Sequence, residues 1–165
     1  MNWLKNIHTN EVEEFTGKVE RTTLSLWLQE RARRKLATPE KHIEELTSAK
    51  AASACHRGDS NYCVIAFYRD NNSKEYATRL LQPFLSKYKD DPVTFWTVDS
   101  RSLRSDCPAE GMPQSTFAVY VFRSKRNKYE DGGSDRSTVA SKIDYALSGN
   151  MLAGVMTAQI ADCFI

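Results

Sequence analysis

Three short apolar runs, separated by segments with helical periodicity, dominate the pattern of hydrophobic and polar positions along the chain. They are Tyr62–Tyr68 (YCVIAFY), Val93–Val98 (VTFWTV) and Thr116–Phe122 (TFAVYVF). Each run is rich in β-branched and aromatic residues and is flanked by turn-forming residues, which is typical of buried strands. Lys74–Lys87 places its apolar side chains on one helical face. We therefore predict an α/β sheet built on these three strands, with helix Lys74–Lys87 packed on one face.

Further elements are predicted on both sides of this sheet. Thr38-Pro39 begins a predicted helix that runs to about Ala54, because threonine is a good N-cap and proline suits the first helical position. A brief extended piece, Leu36–Ala37, precedes this helix. The later elements are a hairpin turn at Ser124–Asn127, a strand at Lys128–Asp131 and a helix from about Val139 to Ser148.

The chain divides into three parts in this prediction. Residues 1–35 form a strand–turn–helix segment, with Val12–Phe15 as its strand. Residues 36–149 form one domain with the order β-α-β-α-β-(α)-β-β-α. Residues 150–165 form a weakly amphipathic tail, and the sequence leaves the structure of this tail open.

Composition and charge narrow the classes of function. The 165 residues are 41% hydrophobic and 27% charged, and 23 basic against 21 acidic residues give a net charge of +2. Such a chain is typical of a globular protein and has no strong electrostatic preference for nucleic acid or membrane. The short basic runs Arg31–Lys35 and Arg123–Arg126 come without a nucleic-acid-binding motif. We expect no nucleic-acid partner, no membrane insertion by this segment and no cofactor.

The four cysteines show neither a CxxC motif nor zinc-binding spacing, so no metal site is predicted. We interpret them as buried or incidental thiols, and in an oxidising compartment a Cys55–Cys107 or a Cys55–Cys63 disulfide remains open. Cys63 lies in an apolar strand, where burial makes a thiol inert. Cys107, in the polar loop SDCP, is the candidate reactive thiol.

The order of elements from Leu36 to Gly149 resembles the thioredoxin fold. Glu110–Pro113 (EGMP), before the third strand, is similar to the Gly-hydrophobic-Pro motif that carries the cis-proline of this family, with Ser115 as the alternative for that place. Counting back from Tyr88, which matches the aromatic residue that ends the family's long helix, puts the redox CxxC motif on Asn71–Lys74 (NNSK). The resemblance implies a three-layer sandwich with a mixed central sheet. It also implies no dithiol enzyme, since Asn71 and Lys74 replace both cysteines.

Two further resemblances extend this picture. Residues 1–35 are similar in pattern to the last hairpin strand and helix of a thioredoxin-like unit, and they are interpreted as the tail of a preceding unit. The run NYCVIAFY, behind a polar loop with a cysteine, is similar to a segment of the DnaJ subfamily C member 16 proteins. These are J-domain co-chaperones of the endoplasmic-reticulum membrane. The resemblance implies association with the endoplasmic reticulum and a chaperone-type parent protein.

Together these observations favour a redox-inactive thioredoxin-like module that binds a protein, a peptide or a neighbouring thioredoxin-like domain. Loops at the ends of strands converge at one edge of such a sheet and commonly carry function. The predicted binding residues at this edge are Arg69, Asn71, Asn72, Ser73, Lys74, Met112, Pro113 and Gln114. The alternatives are a solvated relic of an ancestral active site and a thiol-disulfide oxidoreductase or redox-sensing domain that uses Cys107.

Overall fold

The protein is described by a computed structural model that covers residues 2–5, 12–15, 24–29, 40–55, 62–109, 112 and 117–165. Its contacts divide the chain into two compact units, Met1–Pro39 and Glu40–Ile165. In the first unit, β1 (Asn2–Lys5) pairs antiparallel with β2 (Val12–Phe15), and residues 24–29 are helical (α1). The strand predicted at Val12–Phe15 is therefore present. The predicted boundary at residue 35 and the extended piece Leu36–Ala37 lie outside the described residues.

A six-stranded mixed sheet forms the centre of the second unit. Its strands are β3 (Ile43–Glu45), β4 (Tyr62–Tyr68), β5 (Val93–Asp99), β6 (Phe117–Arg123), β7 (Lys128–Gly133) and β8 (Gly154–Val155). They lie side by side in the order β3-β5-β4-β6-β7-β8, with β3, β5 and β4 parallel and the other neighbours antiparallel. The three apolar runs thus form the adjacent strands β5, β4 and β6, as predicted.

The central strand β4 is buried along all seven residues, because both faces of the sheet are covered. Its side chains alternate between two apolar clusters. Val64 and Ala66 pack in one cluster with helices α3 (Asn71–Lys87) and α4 (Arg136–Leu147), while Ile65 and Phe67 pack in the other. The second cluster is closed by α2 (Ser48–Ala54) and by C-terminal residues. This arrangement is the predicted three-layer sandwich.

The helix predicted from Thr38 to Ala54 is wrong over residues 40–47, which contain strand β3, and the helix α2 begins only at Ser48. Thr38 and Pro39 lie outside the described residues. Ile43 packs against the α3–α4 cluster, whereas Leu46 packs in the opposite cluster. One helical face cannot supply both sides of a sheet, but alternating strand positions can. The backbone N–H of Leu46 also donates to the carbonyl oxygen of Thr97 at 2.7 Å, which extends the pairing with β5. Pairing with a neighbouring strand therefore overrides the helical spacing of the sequence.

Helix α3 begins at Asn71, three residues before the predicted start. The carboxylate of Asp70 accepts from the backbone N–H of Ser73 at 2.7 Å, and the Ser73 hydroxyl oxygen accepts from the backbone N–H of Asp70 at 3.1 Å. This reciprocal capping box satisfies amide groups that a helix start leaves unpaired. The N-cap of α3 is therefore Asp70. The helix continues past Pro83 to Lys87.

The C-terminal residues 150–165, whose structure the sequence left open, are part of the second unit. Strand β8 pairs antiparallel with β7, and a 3-10 helix spans Ile160–Cys163. The backbone N–H of Met156 donates to Asn127 at 2.8 Å, and that of Ile165 donates to Ser102 at 2.9 Å. Leu152, Met156, Ile160 and Cys163 are buried. These residues complete the apolar layers of the sandwich.

Candidate functional site

Polar side chains collect where the parallel strands end. Glu45 closes β3, Tyr68 closes β4 and Asp99 closes β5, while Lys74 comes from the first turn of α3 and Arg101 from the turn after β5. In α/β folds, the carboxyl ends of parallel strands are where ligands and catalytic groups usually lie. We call these five residues the carboxyl edge. It is the region in which the sequence placed the candidate site.

Glu45 connects the strand ends to helix α3. The phenolic O–H of Tyr68 donates to Oε1 of Glu45 at 2.5 Å, and Nζ of Lys74 donates to Oε2 at 2.9 Å. The Lys74 ammonium also lies 5.4 Å from the centroid of the Tyr68 ring, within the range of a cation–π contact. Lys74, at the second predicted cysteine position, is therefore held by a carboxylate and an aromatic ring.

The electrostatics of this group favour fixed protonation states. Hydrogen bonds from Tyr68 and Lys74 lower the pKa of Glu45, and the hydrogen bond with Glu45 raises the pKa of Lys74. Burial, followed by the hydrogen bond to Glu45, raises the pKa of Tyr68 to about 12. At neutral pH this makes Glu45 anionic, Lys74 cationic and Tyr68 neutral. Each of these shifts moves the pKa of its group further from neutral pH, whereas a general acid or base needs a pKa near neutral pH.

Asp99 and Arg101 form a second pair at the carboxyl edge. The guanidinium of Arg101 donates from Nε to Oδ1 of Asp99 at 3.0 Å and from Nη2 to Oδ2 at 2.7 Å. This two-bond geometry lowers the pKa of Asp99. The buried hydroxyl of Ser100 donates to the carbonyl oxygen of Tyr68 at 3.0 Å and ties the ends of β4 and β5 together.

The predicted site residues around the start of α3 differ in exposure. Arg69, Asn71 and Asn72 are exposed. Ser73 is used in the capping box, and Lys74 is bonded to Glu45. The surface that these residues offer to a partner is therefore polar, and its exposed groups are one guanidinium and two amides.

Met112 departs from the predicted surface. Its side chain is 3% exposed and packs in the cluster that contains Phe67 and Phe122. An unbranched thioether fills irregular gaps in a core well, which explains an apolar anchor within a polar loop. Pro113, Gln114 and the alternative cis-proline position Ser115 lie outside the described residues. The cis peptide bond among the described residues is Cys107–Pro108.

The expectation of a reactive thiol at Cys107 is wrong. Cys107 forms a disulfide with Cys163, and both residues are fully buried. Cys55 forms a disulfide with Cys63, one of the two pairings that the sequence left open. All four cysteines of the chain are thus paired, and none is a free thiol. The sequence does not indicate Cys163 as the partner, because the pattern of residues 150–165 leaves their structure open.

The polar network of the carboxyl edge was also missed. Tyr68 and Asp99 stand at or next to the ends of predicted strands, so their position at this edge could have been inferred from strand order. Glu45 could not, because the segment around it was interpreted as a helix. Because the predicted fold lacks β3, it offers no carboxylate partner for Lys74.

Comparison with solved structures identifies a thioredoxin-like fold. The structure is similar to the zinc-bound form of human ERp44, with a TM-score of 0.54 and 14% identity over 87% of this chain and 40% of that chain. It is similar to form II of human ERp44, with a TM-score of 0.52 and 13% identity over 87% of this chain and 38% of that chain. The Trx4 domain of ERdj5 gives a TM-score of 0.47 and 15% identity over 67% of this chain and 99% of that domain.

At these identities the likeness concerns the fold alone. The chain spans about two fifths of the length of the ERp44 chains that it matches. No protein-family model and no curated protein sequence matches the chain. No helix within the described residues is long and apolar enough to cross a membrane.

Proposed function

We propose that this chain is a redox-inactive thioredoxin-like domain that binds a protein or peptide partner in an oxidising compartment. The observation that carries the proposal is the first turn of α3. The thioredoxin resemblance places the redox cysteines there, and the chain has Asn71 and Lys74 in these positions. Dithiol exchange requires a thiolate that can attack a disulfide sulfur. An exposed amide and an ion-paired ammonium cannot perform that step.

The two disulfides support the choice of compartment. Disulfides persist in secreted proteins and in the lumen of the endoplasmic reticulum, and they are rare in the cytosol. Cys55–Cys63 and Cys107–Cys163 are both buried, as expected of structural rather than catalytic bonds. Together with the resemblance to the DnaJ subfamily C member 16 proteins, this favours a thioredoxin-like region of an endoplasmic-reticulum co-chaperone. Stimulation of Hsp70 is not part of the proposal, because the sequence has no His-Pro-Asp motif.

The proposed docking surface is the exposed turn between β4 and α3, formed by Arg69, Asn71 and Asn72. The guanidinium supplies several donors in a fixed fork, and each amide supplies both donors and acceptors. These groups suit the backbone of an extended peptide or the polar surface of a neighbouring domain. Buried strand ends and the Asp70 cap hold this turn in place. The competing interpretation is a solvated relic with no partner.

The absence of redox activity is tested by insulin reduction with dithiothreitol as the electron source. We expect the oxidised chain to give the same rate as buffer, with thioredoxin as the positive control. Turnover above buffer that disappears in a Cys107→Ala/Cys163→Ala variant would restore the oxidoreductase hypothesis. The Cys55→Ala/Cys63→Ala variant is the matched control for the loss of a disulfide.

Docking is tested with partners that are first identified by cross-linking in the cells that produce the protein. We expect Arg69→Glu combined with Asn71→Arg to abolish capture of these partners without changing the melting temperature. Lys89→Glu is the control, because it reverses an exposed charge beyond the other end of α3. Undiminished capture by the double variant would show that the turn between β4 and α3 is a relic.

A further inference from the structure

Asn71, Asn72 and Ser73 match the acceptor pattern for N-linked glycosylation, which is asparagine, any residue except proline, and then serine or threonine. Asn71 is the only asparagine of the 165 residues that is followed two positions later by serine or threonine. We propose that Asn71 carries an N-linked glycan. The inference does not rest on the proposed docking surface, although the two share Asn71.

The position of Asn71 in the fold suits a bulky modification. It is the first residue of α3, it is exposed, and its neighbours Arg69, Asp70 and Asn72 are exposed as well. A glycan is large and strongly hydrated, so it must leave the surface without displacing packed side chains. The buried side chains of α3 begin only at Ala77. A glycan at Asn71 therefore extends into solvent and leaves the apolar clusters unchanged.

The disulfides provide a second, independent observation. N-linked transfer and disulfide formation both take place in the secretory compartments of eukaryotic cells. The short disulfide loop from Cys55 to Cys63 leads directly into β4, which ends three residues before Asn71. A chain that acquires this disulfide in the endoplasmic reticulum is exposed to the transferase in the same compartment. By contrast, the same three-residue pattern in a cytosolic protein has no consequence.

The chemistry requires a lipid-linked oligosaccharide diphosphate as the co-reactant. The side-chain amide nitrogen of Asn71 forms a bond to the anomeric carbon of the first sugar. The bond from that carbon to the diphosphate oxygen breaks, the lipid diphosphate leaves, and the amide nitrogen loses one proton. The Ser73 hydroxyl completes the acceptor pattern during this step, while the chain is still extended. After folding, the same hydroxyl donates to the carbonyl oxygen of Asp70 at 3.0 Å within the capping box.

A glycan at this position would stand where the thioredoxin resemblance places the first redox cysteine. The proposal thus adds a steric reason, independent of the missing thiols, why this position performs no disulfide exchange. Partner capture by the chain without its glycan measures docking, and sensitivity to glycosidase measures modification. Either proposal can therefore fail without the other.

The test uses the protein isolated from the cells that naturally produce it. It also uses the full chain secreted from eukaryotic cells behind a cleavable signal. Both samples are treated with peptide-N-glycosidase and analysed by peptide mass spectrometry. We expect one discrete loss of mass and the conversion of Asn71 to aspartate. An unmodified Asn71 in natural protein that has both disulfides formed would overturn the proposal.

Variants of the acceptor pattern locate the modification. Asn71→Gln and Ser73→Ala should both eliminate the glycan, whereas Ser73→Thr should retain it and also preserve a hydroxyl for the capping box. Asn72→Gln is the matched control, because it makes the same chemical change one residue away and leaves the pattern intact. A glycan that persists in Asn71→Gln would place the modification elsewhere and contradict the proposal.

Discussion

The two disulfides are expected to contribute unequally to stability, because they close loops of very different length. Cys107–Cys163 joins residues 56 positions apart, whereas Cys55–Cys63 joins residues 8 positions apart. In the chain-entropy model, the contribution of a cross-link grows with the logarithm of loop length. It is about 4.2 kcal/mol for the long loop and about 2.5 kcal/mol for the short one at 25 °C. We therefore predict that the long loop contributes about 1.7 kcal/mol more to the free energy of unfolding.

Urea denaturation of two double variants checks this difference. Cys107→Ala/Cys163→Ala and Cys55→Ala/Cys63→Ala remove the same atoms from sites with similarly low exposure, so the cavities they leave are comparable. The first variant should have the lower midpoint and the smaller free energy of unfolding, with the m-value compared between the two. If both double variants lose the same free energy of unfolding, or if the variant without Cys55 and Cys63 loses more, residues 150–165 are not cross-linked into the folded core as described.

Three further predictions concern single positions. Ile65→Asp, at a fully buried position of β4, should cost about 4 kcal/mol or more and prevent cooperative melting, whereas Ile65→Val should melt cooperatively. Tyr68 should stabilise the fold up to about pH 10 and lose that contribution as pH rises towards 12, because the folded state retains the phenolic proton. The Tyr68→Phe variant should therefore unfold less at alkaline pH, as measured by circular dichroism. An unfolding profile equal to that of the unmodified chain would contradict this. Gly154→Ala should cost about 1–3 kcal/mol by thermal melting, because its Cβ would lie 2.5 Å from the Tyr129 ring; exposed Val155→Ala should be nearly neutral.

The strands could be predicted from the sequence where both faces of the sheet are covered by other elements. Tyr62–Tyr68 is apolar at every position because helices cover one face and α2 with the C-terminal residues covers the other. A continuous apolar run is the direct consequence of that burial. Strand β3 left no such signal, because Ile43 is only partly buried and the other two residues are exposed glutamates. Its strand conformation comes from pairing with β5, which local sequence does not record.

The sequence places the candidate site at the carboxyl ends of the parallel strands, but it does not describe the contacts there. The order of elements indicates that strand β4 is followed by a helix, although it places the start of α3 three residues too late. The contacts of Lys74 did not follow, because Glu45 reaches it through the missed strand β3. Met112, Cys107 and Cys163 all pack in the apolar cluster that contains Phe67 and Phe122, and the sequence does not show that they meet there. Disulfide connectivity and loop packing are properties of the tertiary structure, which spacing along the chain does not determine.

Restoring a dithiol at the start of α3 tests the central claim most directly, since the claim is that Asn71 and Lys74 occupy the two redox positions of a thioredoxin-like fold. The double variant Asn71→Cys/Lys74→Cys places two thiols three residues apart on one helical turn, at the helix N-terminus that lowers the pKa of a thiol. We predict that it forms a reversible disulfide between residues 71 and 74 and reduces insulin, while the unmodified chain and each single variant remain at the rate of buffer. Failure to form this disulfide in a folded protein, or insulin reduction by the unmodified chain, would contradict the account.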